Sequence, residues 1–177
     1  MATTTRKNSD AKTTREKSPR VSSRPLVSRP KRQREFLVNA KQYLKMADLG
    51  FFRERRVELI NGKIIEMAPM NDPHWWGIAK VNEALREVFT TPFFVLSQMP
   101  IALNEYSEPE PDAMVMKTES GDIRELSKGD CQKAVLIVEI SDSTLAYDRS
   151  EKAELYARSG IVEYWILNLK ARQLEVR

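Results

Sequence analysis

From residue 35 onward the apolar and polar positions follow short, recognisable periods, and they predict an alternation of helices and strands. A helix is expected over 38–49, ended by Gly50. The segment 56–67 reads RVELI, Asn61-Gly62, KIIEM, which is a hairpin closed by a pair that favours the type I′ turn. A second helix is expected over 73–89, with Asp72 as its cap and Pro73 in its first turn. Trp75, Ile78, Leu85 and Val88 mark its packing face, and Lys80, Glu83 and Glu87 its wet face. One strand or two should lie in 93–103, interrupted at Pro100. After Pro109 and Pro111, Asp112 opens a short apolar strand over 113–116. Residues 121–132 are polar and irregular.

The stretch 134–168 is the most strongly patterned. Residues 135–140 form a β-branched apolar run interrupted by one carboxylate, Glu139, as suits a central strand buried on both faces. A helix over 149–159 should follow, with Asp148 as N-cap, Glu151 completing a capping box and Gly160 as C-cap. On it Glu151, Glu154 and Arg158 share one face, while Lys152, Leu155, Tyr156 and Ser159 share another. Lys152 therefore stands on the apolar side. Strands over 161–167 and 173–177 complete the series, and there are no internal repeats.

Length and charge refine this picture. The 177 residues have room for one domain and a tail. Residues 1–34 hold 11 basic and 2 acidic residues, a balance of +9; the whole chain is +4, which leaves −5 for residues 35–177. The tail is rich in Ser, Thr, Arg and Pro and lacks periodicity, so it is expected to be disordered, with a domain over 35–177. A solvated extension without a dedicated role is its plainest reading. Arg29, Lys31, Arg32 and Arg34 could instead lend nonspecific phosphate affinity, and its composition also resembles a transit peptide. The lone Cys131 excludes an intrachain disulfide framework and fits a reducing compartment, hence a cytoplasmic location. No apolar run reaches the length of a membrane span.

The candidate chemistry lies in Glu58, Asp112, Glu139 and Lys152 taken together. Phosphodiester hydrolysis by a metal mechanism needs carboxylates to hold a divalent ion and a lysine to stabilise developing negative charge. Each member also has a plainer reading: Glu58 as an exposed hairpin residue, Asp112 as a turn residue, and Glu139 with Lys152 as a buried ion pair. His74, the only histidine, sits at a helix N-terminus, where it could touch a phosphate or serve as a surface or capping residue.

Pro111-Asp112 followed by Glu139-Ile140-Ser141 resembles the PD-(D/E)xK nuclease superfamily. More closely, VELINGKIIEM, EPEPDAMV, VEISDST and YDRSEKAELYARSGIVEYWIL resemble the Uma-two family of restriction endonucleases, in register over 38–177. The resemblance implies an α/β (α+β) restriction-endonuclease-like fold, a mixed central sheet flanked by helices. It implies Mg²⁺ (or Mn²⁺) held by Asp112, Glu139 and the backbone carbonyl of Ile140, with Glu58 as a further acidic residue and Lys152 as the site lysine. It also implies DNA as the partner, with a homodimer as a common assembly. Two departures stand out. The superfamily's lysine usually lies two positions after the acid, where this chain has Ser141, and the chain stops at Arg177, where related sequences continue, so a shortened domain is expected. A noncatalytic nucleic-acid-binding or interaction protein on the same fold is the alternative to a nuclease.

Overall fold

The computed structural model describes residues 35–177, and the expectations for residues 1–34 lie outside the described residues. Helix α1 (Ala40–Asp48) is closed at its start by a capping box of Asn39 and Gln42. The hairpin follows as β1 (Val57–Ile60) and β2 (Lys63–Glu66). Asn61 and Gly62 both take positive φ, 50° and 77°, as the type I′ turn requires. A side chain at residue 62 would also press on Cβ of Leu37, at 2.7 Å.

Helix α2 (Asp72–Val88) starts from Asn71, whose side chain accepts from the His74 backbone N–H; Asp72 is a first-turn acid rather than the cap. Its buried side is formed by Gly77, Asn82 and Leu85; Leu85 packs as expected, whereas Trp75 and Val88, expected on the same face, are exposed to solvent. The reason is Gly77. A Cβ there would lie 2.9 Å from Cγ2 of Ile140, so the helix makes its closest approach to the sheet on a position with no side chain.

The main sheet has five strands in the order β3 (Phe93–Leu96), β4 (Ala113–Lys117), β5 (Ala134–Ser141), β6 (Tyr164–Asn168) and β7 (Gln173–Val176). Only β5 and β6 are parallel; the other pairs are antiparallel. The expected mixed sheet with helices is present, and β5 is its centre. Residues 97–112 form no second strand of this sheet. Instead they pass along the hairpin, bridging Leu59 to Glu108.

The β5–β6 crossover is helical from 145 to 158: α3 (Leu145–Tyr147), a π turn (Asp148–Lys152) and α4 (Ala153–Arg158). The helix thus starts earlier than expected and Asp148 is not its N-cap. It lies inside the run, 2% exposed, accepting from the hydroxyls of Ser141 (2.5 Å) and Thr144 (2.6 Å). The wider π turn keeps Asp148 and Lys152 on the sheet side, one turn before Tyr156.

Two apolar layers flank the sheet. Leu85 of α2 packs with Ala113, Val115, Leu136 and Val138 on one face. Tyr156, Tyr164, Ile137, Ile166, Met114 and Met116 form the other. No helix among the described residues is long and apolar enough to cross a membrane.

Candidate active site

Alternation along β5 sends Ile137, Glu139 and Ser141 toward the helical crossover and Val138 and Ile140 toward α2. Glu139 is buried, and its Oε1 accepts from Nζ of Lys152 (2.9 Å) and from the Tyr156 hydroxyl (2.8 Å). Lys152 also reaches Oε2 of Glu58, at 3.2 Å. Glu58 is not an exposed hairpin residue. It is 4% exposed because the 104–112 segment covers it, and the Glu110 N–H donates to its carboxylate.

Asp112 reaches the same end of β5 from the start of β4. Its Oδ2 accepts from the buried Ile140 N–H at 2.8 Å, and its Oδ1 lies 3.0 Å from Nε2 of His74. The structure therefore brings Glu58, Glu139 and Lys152 into direct contact and sets Asp112 beside them through Ile140. A cleft opens over this end of the sheet, walled by Glu58, His74, Glu139, Asp148 and Lys152, with Arg56 and Asn71 at its edge. The sequence reading does not place Asp148 on this cleft, because locally it resembles a capping residue.

Four carboxylates, Glu58, Asp112, Glu139 and Asp148, are thus buried at this end of the sheet with one buried ammonium, Lys152, which Glu58 and Glu139 contact directly. Burial alone pulls that ammonium down, but Glu139, Glu58 and Asp148 overcome it and hold Lys152 above the usual lysine range. The deficit of positive charge falls on Glu139. Burial first, then the negative charges of Asp112, Asp148 and Glu58, push its carboxyl up to about 8 against the pull of Lys152. The Asp112 hydrogen bond raises the His74 imidazole above its ordinary value, with burial opposing.

Among the described residues no three Asp, Glu, His or Cys side chains are gathered closely enough to form a metal cage by themselves. The donor chemistry nevertheless fits a hard divalent ion. Asp112 and Glu139 offer oxygen ligands, both donors to Glu139 use Oε1 and leave Oε2, and the cluster carries surplus negative charge. Magnesium commonly takes only one or two protein carboxylates and fills its shell with water and substrate oxygens.

The comparisons with known proteins agree with this architecture. No curated protein matches the chain. A crystal structure described as a "putative nuclease belonging to DUF820" from Anabaena variabilis superposes with a TM-score of 0.55 at 13% identity, covering 78% of this chain and 83% of that one. That likeness shows the fold, which is of the restriction-endonuclease type. The model of the Uma2 family, described as "Putative restriction endonuclease", matches residues 40–177, and the chain belongs to that family.

Proposed function

We propose that this protein is a divalent-metal-dependent endodeoxyribonuclease that hydrolyses DNA phosphodiester bonds in the cleft over the end of β5. The observation that carries this reading is the convergence of the buried carboxylates Glu58, Glu139 and Asp148 with the buried Lys152 at one open cleft, and of Asp112 just behind it through Ile140 and His74. A purely structural ion pair has no need of that surplus of acid, because each unpaired buried charge is costly.

Asp112, Glu139 and the carbonyl of Ile140 would hold Mg²⁺ or Mn²⁺, which when bound supplies Lewis-acid polarisation of the phosphoryl oxygen and activation of water. Lys152 takes the part of the strand lysine that Ser141 replaces. Its ammonium, held between Glu139 and Glu58, would stabilise negative charge growing on the phosphate. Glu58 positions that ammonium, and Tyr156 fixes the rotamer of Glu139. The domain would be 35–177, with the basic residues 1–34 adding sequence-independent attraction to the DNA backbone.

The test is conversion of supercoiled plasmid. Purified protein should nick and linearise it with Mg²⁺ or Mn²⁺ and stop on addition of EDTA. A noncatalytic DNA-binding protein is the second reading, favoured by how fully Lys152 is already engaged by two carboxylates. It would retard plasmid in a gel and leave it supercoiled with either ion.

A further inference from the structure

Both oxygens of Asp112 are occupied in the fold, and the two partners differ in kind. Oδ2 is held by the Ile140 N–H, a buried backbone donor in the central strand that would be orphaned if it let go. Oδ1 faces Nε2 of His74, a half-buried side chain on the first turn of α2. His74 lines the cleft, whereas Asp112 does not. The imidazole therefore forms part of the cleft wall and touches the Asp112 carboxylate from it. Of the two oxygens, Oδ1 is the one whose partner can give way to a cation at little cost, because His74 is a half-buried side chain and the Ile140 N–H is a buried backbone donor.

The backbone around His74 keeps it there. Asn71 caps the helix through the His74 N–H, and Gly77, one turn on, lets α2 approach Ile140 closely. The ring itself can swing about its side-chain bonds without disturbing either contact.

We propose that His74 is a positioning residue that covers the metal-facing oxygen of Asp112 and is displaced into the cleft when a divalent cation binds. This rests on the nuclease reading, since it presumes that Asp112 is a ligand. It also separates the histidine's place from a merely structural hydrogen bond, which a cation would leave intact.

The test is Mn²⁺ binding at fixed pH by wild type and His74→Ala, followed by electron paramagnetic resonance of the free ion, together with ring resonances of His74 during Mg²⁺ titration of the wild type. The chain has one histidine, so those resonances need no assignment. Removing the covering hydrogen bond should tighten Mn²⁺ binding about tenfold, the scale of one hydrogen bond to a charged group. The ring signals should shift with the midpoint of Mg²⁺ binding. Equal or weaker Mn²⁺ binding in His74→Ala, or ring signals that stay still while Mg²⁺ binds, would overturn the proposal. The second readout needs no variant and holds even if His74→Ala folds poorly. Wild type that binds and cuts while failing these tests loses only this inference; wild type that binds neither ion loses the nuclease reading as well.

Discussion

Arg149 and Lys152 lie three residues apart on one helical run, and each is held at short range by acid, Arg149 by one carboxylate and Lys152 by two. Arg149 donates to Glu175 at 2.6 Å, with Arg177 at 2.9 Å from the same carboxylate. Lys152 contacts Glu139 at 2.9 Å and Glu58 at 3.2 Å. The carboxylates respond in opposite ways. Arg149 first, and then Arg177, draw the Glu175 carboxyl down to about 2, while Glu139 rises to about 8. The difference is burial and stoichiometry. At the rim two guanidinium groups share one acid in contact with water, whereas in the centre one ammonium, 6% exposed at its side chain, serves several buried acids. Similar distances thus describe a satisfied surface pair and an interior cluster still short of positive charge.

The contrast can be broken by substitution. The largest effect is expected for Lys152→Ala, which should slow Mg²⁺-dependent plasmid cleavage by a factor on the order of 10² to 10³, as when one preorganised donor is lost. Adding Ser141→Lys should restore part of the rate, because residue 141 lies on the same side of β5 as Glu139; full activity in the single mutant would contradict the role given to Lys152. Next in size is metal-linked stability. Saturation at 100 times Kd should raise unfolding free energy by about 2.7 kcal/mol, read as a higher Tm, and Asp112→Asn should abolish the rise.

Proton linkage sharpens the same point. The folded pKa of Glu139 lies above its unfolded value of 4.5, so the native state binds more protons between that value and about 8. Metal-free stability should therefore fall as pH rises through this window, and His74 pushes the same way because its folded value is also raised. Mg²⁺ stabilisation should grow over the same range, since the ion needs the deprotonated carboxylate. Denaturant titrations at pH 6 and 8.5, with and without Mg²⁺, measure both trends. A smaller effect is expected from deleting residues 1–34: unchanged Tm, with weaker nonspecific DNA binding and a shallower dependence on salt. The smallest belongs to Arg149→Ala, which should leave Tm and cleavage unchanged within error.

Much of this arrangement can be read without coordinates, and the failures share a cause. Glu139 stands out because it breaks a β-branched run, and Lys152 because the helical period puts it with Leu155 and Tyr156. Asn61-Gly62 announces its own turn. Asp148 misleads because an aspartate three residues before a glutamate looks the same whether it caps a helix or lies within one. Its true partners are Ser141, seven residues back, and Thr144. The burial of Glu58 depends on a segment some fifty residues away. On α2 the period places Leu85 and the wet face correctly but misplaces Trp75 and Val88, because counting apolar side chains gives no weight to Gly77, whose missing side chain makes the contact. The meeting of His74 with Asp112 spans 38 residues and leaves no local trace. Period and turn chemistry are local, whereas the protonation and partners of buried charges are set by tertiary neighbours.

The most direct test of whether the central cluster serves chemistry rather than stability is a paired measurement on Glu139→Gln at pH 8.5 without metal and in cleavage buffer with Mg²⁺. The substitution removes one of the crowded negative charges while keeping the shape and an acceptor for Lys152 and Tyr156. The predicted result is a metal-free Tm equal to or above that of the wild type, together with a loss of cleavage by at least about 10²-fold. A Tm lowered by many degrees with cleavage retained would contradict the account and make Glu139 a structural ion-pair partner.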